Sequence, residues 1–249
     1  MNLIVDVGNT AVKLAVFDKG QLVFDESLSA SQSKVDGGQF IERVKAIFNH
    51  YPGIAWAIVS SVGNLNKKNI KALTVFCKVH TLDYRSKTPF KNSYASPQTL
   101  GVDRIALATA AFYLNPKANT LVIDAGTCVT YDMINDYGEY LGGAISPGLN
   151  MRYRALHEQT SKLPLLQAES PLDLIGNSTV TSMHSGVVNG ICHEIDGIID
   201  QYKSRFSHLT VILTGGDAQF LSKRLKNTIF ADSKFLMVGL NHLLEYNNH

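Results

Sequence analysis

The amino-acid sequence predicts an α/β fold built from two similar domains, and three patterns carry this prediction. The apolar run from Leu3 to Val7 is typical of a strand covered on both faces. Strands of this kind then alternate with helical stretches, as in α/β units. A strand, an Asp-x-Gly turn and a second strand occur twice, with the aspartates at Asp6 and Asp124, 118 positions apart (124 − 6). An internal duplication explains this repeat.

The first half of the chain starts with a hairpin, in which Gly8-Asn9-Thr10 separates two apolar strands. Further strands and helices follow it. The polar stretch 86–97 contains two prolines and is predicted to be a loop near a functional cleft. We predict strands at residues 3–7, 11–17, 21–24 and 55–59, and helices at residues 36–49, 66–76 and 101–114.

The second half repeats this organisation from Leu121 onwards. Glycines at 142, 143 and 148 form a loop before a helix, and Gly186 and Gly190 lie one turn apart on a long helix. We predict strands at residues 121–123, 129–133 and 209–213, and helices at residues 151–160, 181–202 and 218–225. The resulting domain boundary separates residues 1–115 from residues 116–249.

Composition and charge exclude several classes of protein. The 249 residues are 45% hydrophobic and 18% charged, which is typical of a globular protein. The net charge of +2 comes from interspersed acids and bases, which argues against nucleic-acid or membrane partners. Apolar runs are too short to cross a membrane. Three scattered cysteines favour a reducing compartment, so we expect a cytoplasmic protein.

The first hairpin carries groups that suit polyphosphate. Gly8 is expected to take a positive φ that lets backbone N–H groups converge on an anion, and Thr10 adds a hydroxyl. Lys13 can place a point charge on terminal phosphates, while Asp6 would bind hydrated Mg²⁺. An ordinary hairpin turn is the alternative. The repeat of the pattern at residues 124–127 favours phosphate binding.

A second group of residues suits an acceptor hydroxyl. Asp103 opens a helix after the polar loop and could take the hydroxyl proton, while Arg104 could clamp a carboxylate. An acid in the first turn of a helix is also favoured by the helix dipole alone, so both interpretations stay open at this point. Thr214-Gly215-Gly216-Asp217 follows a buried strand and could admit an adenine ring. The sequence contains no P-loop motif.

With these motifs in this order, the chain resembles the type III pantothenate kinases of the acetate and sugar kinase/Hsp70/actin superfamily. The resemblance covers nearly the whole chain. It implies two RNase H-like (actin-type) domains with the nucleotide in the cleft between them, and ATP-dependent phosphorylation of pantothenate to 4'-phosphopantothenate, the first step of coenzyme A synthesis. The motifs that carry it are Asp6-Val7-Gly8-Asn9-Thr10 with Lys13, Gly101-Val102-Asp103-Arg104, Asp124-Ala125-Gly126-Thr127, Gly142 to Leu149, and Thr214-Gly215-Gly216.

The resemblance also implies roles for single residues. Asp103 would accept the proton, Asp124 would ligate an activating K⁺ or NH₄⁺, and Mg²⁺ would accompany ATP. In a homodimer, Thr179 (or else Thr181) would reach the substrate of the neighbouring subunit. The ATP-binding residues would be Asp6, Val7, Gly8, Asn9, Thr10, Ala11, Val12, Lys13 and Thr127, and the pantothenate pocket would be lined by Tyr94, Gly101, Val102, Asp103 and Arg104.

One departure and two alternatives accompany the resemblance. The helix after Gly148 begins Met151-Arg152-Tyr153-Arg154, where the family leads us to expect serine and glutamate. The chain could instead be an ATP-binding regulatory protein or accessory factor in transcription, or a phosphohydrolase of the same superfamily. The lack of a basic patch argues against the first. Arg104, suited to a carboxylated acceptor, argues against the second.

Overall fold

The computed structural model describes residues 1–29, 38–62 and 67–248, which divide into two compact units. Unit 1 comprises Met1–Leu114 and Lys234–His249, and unit 2 comprises Asn115–Ser233.

The elements are numbered here in chain order. The strands are β1 (Asn2–Val7), β2 (Ala11–Asp18), β3 (Gln21–Ser29), β4 (Trp56–Ser61), β5 (Lys78–Thr81), β6 (Lys91–Asn92), β7 (Thr120–Ala125), β8 (Cys128–Ile134), β9 (Glu139–Pro147), β10 (Thr210–Thr214) and β11 (Phe230–Ala231). The helices are α1 (Gly38–His50), α2 (Lys67–Leu73), α3 (Val102–Leu114), α4 (Leu149–Glu158), α5 (Thr179–His184), α6 (Gly190–Arg205), α7 (Ala218–Ser222) and α8 (Phe235–Asn247). A 3₁₀ turn spans Pro97–Thr99, and a π-helical turn spans Ser185–Asn189.

Unit 1 contains a mixed sheet in the order β3-β2-β1-β4-β5. The first three strands pair antiparallel, whereas β4 and β5 continue parallel to β1. Side chains alternate between the faces of a strand, and the odd-numbered β1 residues Leu3, Val5 and Val7 pack with Phe40 and Val44 of α1. The even-numbered Ile4 and Asp6 therefore lie on the opposite face, where α3 and α8 pack.

Helices α3 and α8 approach each other closely. A Cβ atom at Gly239 of α8 would lie 2.0 Å from the carbonyl oxygen of Ala106, so the helix backbones can pack here only around glycine. Residues of α3 from Arg104 to Ala111 are all buried, which explains its almost continuous apolar sequence. This packing fixes the N-terminal end of α3, where Asp103 lies.

Unit 2 repeats the strand arrangement of unit 1. Its strands are ordered β9-β8-β7-β10-β11, with β7, β8 and β9 antiparallel and β10 and β11 parallel to β7. Strand by strand this is the order of unit 1, with β7 in the place of β1. The predicted α/β fold of two similar domains is therefore confirmed.

The helices of unit 2 cover the sheet face formed by Leu121, Ile123, Val129 and Tyr131. The sequence predicts a long helix over residues 181–202, and the backbone is helical from Thr179 to Arg205 with a π-helical turn inside it. Helices α5 and α6 are separated by the π turn Ser185–Asn189, which contains one of the two expected glycines. Such turns are rare, and propensity gives no signal for them.

The C-terminal helix belongs to a different unit from the one that the predicted domain boundary, between residues 115 and 116, assigns to it. The observed first break follows Leu114, but the chain from Lys234 onwards returns to unit 1. Helix α8 buries Leu236, Leu240 and Leu243 by packing on α3, β1 and β4. An apolar helix pattern shows that a face is buried without showing which sheet buries it.

Among the residues that the structure describes, no helix combines the length and the apolar character needed to cross a membrane.

Candidate active site

Asp6 lies at the end of β1 and is 5% exposed. Lys13 on β2 is its cross-strand partner, and Ser60 on β4 is its partner on the other side. The Ser60 hydroxyl donates a hydrogen bond of 3.1 Å to Asp6 Oδ1. The sheet thus fixes one carboxylate between a cation and a hydroxyl donor.

Burial raises the pKa of Asp6 to about 6. The positive charge of Lys13 and the hydrogen bond from Ser60 oppose this rise, while the negative charge of Asp103 adds to it. Asp6 and Asp103 therefore belong to one electrostatic site, although 97 positions separate them (103 − 6).

The turn between β1 and β2 closes with a hydrogen bond from the Gly8 N–H to the Ala11 carbonyl oxygen, 3.0 Å long. Asn9 and Thr10 are exposed at its tip, and Val7 and Val12 are the buried pair beneath it. The prediction of a positive φ at Gly8 is wrong. Glycine suits this position because a Cβ would lie 3.3 Å from the Ala11 oxygen, a tight approach.

Asp103 occupies the first turn of α3. Its Oδ1 accepts a hydrogen bond from the Arg104 backbone N–H at 2.8 Å. Burial raises the pKa of Asp103, although this hydrogen bond and the charge of Arg104 oppose the rise. A Cβ at Gly101 would lie 2.4 Å from Asp103 Oδ1, so glycine at this position leaves room for the carboxylate.

Arg104 is 4% exposed, and its guanidinium carbon lies 5.6 Å from the centre of the Tyr94 ring. A cation over an aromatic face is held electrostatically by the ring quadrupole. Tyr94, in the loop before α3, and Val102, at the start of α3, are both half-buried. The polar loop before α3 therefore supplies the ring that holds a buried arginine next to Asp103.

Unit 2 contains a second hairpin, between β7 and β8. The Gly126 N–H donates to the Cys128 carbonyl oxygen at 2.9 Å, and Thr127 is exposed at the tip. Asp124 is half-buried and pairs in register with Thr130 on β8 and with Thr214 on β10. This hairpin places a hydroxyl residue, rather than a lysine, opposite its carboxylate.

Two glycines pack against the second hairpin. Gly215 has a φ of +98°, and a Cβ there would lie 2.3 Å from Asp124 Oδ1 and 2.4 Å from the Ala125 oxygen. A Cβ at Gly148 would lie 2.3 Å from the Gly126 oxygen and 2.6 Å from the Thr127 oxygen. The space beside the Asp124 carboxylate and the Ala125 carbonyl is therefore kept clear of side-chain atoms at residue 215.

The donor atoms present suit the expected cations. Carboxylate and carbonyl oxygens at Asp124 and Ala125 are the hard ligands that a monovalent cation takes. Mg²⁺ in kinases is bound by one or two carboxylates together with substrate phosphates, and Asp6 would supply one such carboxylate. Across the described ranges, no cluster of three or more His, Cys, Asp or Glu forms a metal site of its own.

Thr179 begins α5, but it is not the residue that caps the helix. Ser178 is the N-cap, and its hydroxyl and that of Thr181 form a reciprocal capping box. Thr179 is exposed and lines a cavity of about 920 Å³ between α4 and α5, together with Leu156, Met183 and Val187.

The structure brings Asp6, Lys13 and Asp103 together in unit 1, and it places Arg104 beside Tyr94 in the same unit. It places Asp124, Thr127 and Thr179 in unit 2. Sequence reasoning missed Ser60, which hydrogen-bonds Asp6. Two consecutive serines at the end of an apolar strand were the available signal.

Comparisons with known proteins identify the family to which the chain is similar. Residues 2–201 match the family model for type III pantothenate kinase. The chain is 47% identical over 246 residues to a type III pantothenate kinase of Flavobacterium johnsoniae, which covers 99% of this chain and 98% of the relative.

Solved structures share the fold at lower identity. A Baf family transcriptional activator from Campylobacter jejuni has a TM-score of 0.63 at 23% identity, covering 99% of this chain and 98% of that one. A glucokinase from an Antarctic psychrotroph has a TM-score of 0.54 at 12% identity, covering 98% of both chains.

Proposed function

Because the chain belongs to the type III pantothenate kinase family, a family of kinases that phosphorylate pantothenate in coenzyme A biosynthesis, we propose that its catalytic centre is built on Asp103, Asp6 and Lys13. The observation that carries this assignment is the shared electrostatic environment of Asp6 and Asp103. The reaction is the ATP-dependent transfer of a phosphoryl group to the alcohol of pantothenate, which gives 4'-phosphopantothenate.

Asp103 acts as the general base in this proposal. Burial raises the pKa of its carboxylate, which makes it a better proton acceptor, while the Arg104 N–H keeps it oriented. The base takes the proton of the pantothenate hydroxyl as that oxygen attacks the terminal phosphorus of ATP, and ADP leaves. Arg104, buried beside Tyr94, binds the pantothenate carboxylate, and Gly101 and Val102 line the same pocket.

Residues of the first hairpin hold the phosphates. The turn that contains Gly8 is exposed at Asn9 and Thr10 and offers backbone and hydroxyl donors there, with Val7, Ala11 and Val12 as its frame. Lys13 supplies the positive charge. Mg²⁺, held through Asp6, would neutralise charge that develops on the transferred group. Thr127 contributes a nucleotide contact, and Asp124 would ligate K⁺ or NH₄⁺.

The working unit is a homodimer in the cytoplasm. The apolar side chains of Leu172, Leu174, Ile175 and Val180, which lie in one short segment of the chain, are all exposed. Exposed apolar surface is typical of subunit interfaces. A Cβ at Gly186 or Gly190 would meet nothing within 4 Å, so this helix face can admit a partner backbone. Thr179 lies in the same segment with an exposed side chain, and it completes the pantothenate pocket of the neighbouring subunit.

The function is tested by ADP release from the purified protein with and without pantothenate. A pantothenate kinase releases ADP only when pantothenate is present, with one phosphopantothenate formed per ADP. ADP release at the same rate without pantothenate would identify a phosphohydrolase. ATP binding without turnover would identify a regulatory protein.

The role of Asp103 is tested by Asp103→Asn, which keeps the size and one hydrogen-bond acceptor. We expect kcat to fall on the order of 10²–10⁴-fold, with ATP affinity retained in calorimetry. A near-wild-type kcat would remove Asp103 from the mechanism.

The shared site is tested by mixing Asp103→Asn chains with Thr179→Ala chains and allowing the subunits to exchange. One site of each heterodimer would then be free of both substitutions, so activity should exceed that of either variant alone. In the control mixture, Thr181→Ala chains replace the Thr179→Ala chains. Thr181 suits this control because its hydroxyl is used within its own chain, in the capping box of α5. Demonstrated exchange without recovery would refute the shared site.

A further inference from the structure

Arg152 forms a three-way polar clamp in unit 2. From the first turn of α4, its Nε donates to the Pro147 carbonyl oxygen at 2.8 Å. Its terminal nitrogen donates to Ser146 Oγ at 3.0 Å and to Glu194 Oε2 at 2.5 Å. One side chain thus ties the end of β9 to helix α6.

Glu194 is fixed from other directions as well. Its second oxygen, Oε1, accepts a hydrogen bond from the Tyr131 hydroxyl at 3.2 Å. Burial raises the pKa of Glu194, but hydrogen bonds from Arg152, Ser146 and Tyr131 outweigh it and lower the pKa below its usual value. The carboxylate therefore stays charged at neutral pH and gives Arg152 a constant anchor.

The peptide that Arg152 holds is the one that packs on the second hairpin. Gly148 directly follows Pro147, and its N–H donates to the Thr127 carbonyl oxygen at 3.2 Å. Side-chain atoms at residue 148 are excluded by the Gly126 and Thr127 oxygens. Any displacement of Pro147 is therefore passed directly to the Gly126–Thr127 turn.

We propose that Arg152 is a positioning residue for nucleotide binding, acting through Pro147 and Gly148 on the turn that carries Thr127. The inference rests on the proposed contact between Thr127 and the nucleotide. A guanidinium suits the role because its fixed fork serves a carbonyl, a hydroxyl and a carboxylate at once, whereas lysine offers a single point charge. This role explains one of the two arginines at the start of α4, where the family resemblance leads us to expect serine and glutamate.

The test compares Arg152→Gln and Arg152→Lys with Arg154→Gln. Arg154 is an exposed arginine two positions further along the same helix, so its replacement makes the same change in charge. For both Arg152 variants we expect KM for ATP to rise about tenfold, with KM for pantothenate changed less than twofold. Arg154→Gln should match the wild type. Amide hydrogen exchange should accelerate at residues 126–128, at Ser146 and at Gly148 in the Arg152 variants alone.

Several outcomes would overturn the proposal. A fall in apparent kcat with both KM values unchanged would indicate a loss of folded enzyme only. Wild-type KM for ATP in Arg152→Lys would show that charge suffices, and faster exchange across all of unit 2 would show a general loss of stability. If Arg152→Gln does not fold, Arg152→Lys and the exchange measurement decide.

Thr127→Ala separates this inference from its premise. If Thr127→Ala raises KM for ATP while the Arg152 variants do not, the clamp fails and the nucleotide role of Thr127 stands. If neither substitution affects KM for ATP, the assignment of Thr127 itself is wrong.

Discussion

The β1–β2 and β7–β8 hairpins occupy the same place in their two sheets, yet they differ in their turns and in the residues facing the carboxylate. Four residues separate the last register pair of the first hairpin, Val7 and Val12, whereas three separate Ala125 and Val129 in the second. Asp6 faces Lys13, and Asp124 faces Thr130. On the parallel side, both carboxylates keep a hydroxyl residue as partner, Ser60 or Thr214.

This difference shows what duplication retained and what each copy changed. The strand order, the terminal aspartate and the hydroxyl partner are common to both halves, because a carboxylate at a strand end needs the same support in each. The lysine is present only in the first hairpin, where the proposed phosphate site needs a cation. The second hairpin has no lysine in register, so a bound monovalent cation would supply the positive charge there.

The largest expected effect comes from replacing, one at a time, the two residues that face the aspartates. Lys13→Ala should lower kcat about 10²–10³-fold, since it removes a preorganised charge from the transferring phosphate. Thr130→Ala should cost less than tenfold, because its hydroxyl donates to Asp132 within the sheet at 3.0 Å. Steady-state kinetics at saturating ATP and Mg²⁺ would measure both.

Equal losses for the two variants would contradict this comparison, since the hairpins would then contribute alike. Full activity of Lys13→Ala would show that the first hairpin is not the phosphate site.

The depth at which each carboxylate is buried gives the second prediction. In the folded state the pKa of Asp6 is about 6, above its ordinary 3.8, so folded protein binds more protons than unfolded protein between these values. Stability therefore falls as pH rises from about 4 to about 6, and it stays lowered above that. Asp6→Asn should raise the free energy of unfolding at pH 8 by up to about 3 kcal/mol and leave it unchanged near pH 4.

Thermal unfolding of the unliganded protein at both pH values would measure this gain. Asp124→Asn is the matched control for the substitution itself, at a carboxylate that is only half-buried. Since Asp6→Asn is also expected to impair phosphoryl transfer, it would exchange activity for stability. If Asp6→Asn instead lowered the free energy of unfolding at pH 8, the buried charge of Asp6 would not be destabilising and the prediction would be refuted.

Much of the fold followed from the sequence, because local patterns determine it. Helix α3 was predicted at residues 101–114 and begins at Val102, since the polar loop before it and Asn115-Pro116 after it mark its ends. The repeated Asp-x-Gly turn likewise identified both hairpins.

Long-range packing was not predictable in the same way. The π turn at Ser185–Asn189, the return of α8 to unit 1 and the clamp at Arg152 depend on contacts between residues distant in sequence. Arg152 and Glu194 lie 42 positions apart, and no local pattern relates them. For the site, the residue types could be predicted from the sequence, whereas the burial that raises the pKa values of Asp6 and Asp103 could be seen only in the structure.

The glycines around the two turns give a third prediction. Gly148→Ala should destabilise the protein by about 2 kcal/mol, because its Cβ would lie 2.3 Å from the Gly126 oxygen. Gly8→Ala should cost under about 1 kcal/mol, since its nearest contact is 3.3 Å and its φ is not positive. Chemical denaturation measures both. A larger loss at Gly8 than at Gly148 would reverse the comparison of the two turns.

The smallest effect concerns the cation that replaces lysine at the second hairpin. We expect the wild type to be faster in K⁺ or NH₄⁺ than in Na⁺ buffer by about tenfold, which corresponds to about 1.4 kcal/mol of transition-state stabilisation. Asp124→Asn should remove this difference, because the carboxylate would be the charged ligand beside the Ala125 carbonyl. Thr130→Lys places an ammonium in register with Asp124, as Lys13 is with Asp6, and should make the rate independent of the cation. Equal wild-type rates in Na⁺ and K⁺ would refute the site, whereas a K⁺ response that survives Asp124→Asn would place the cation elsewhere.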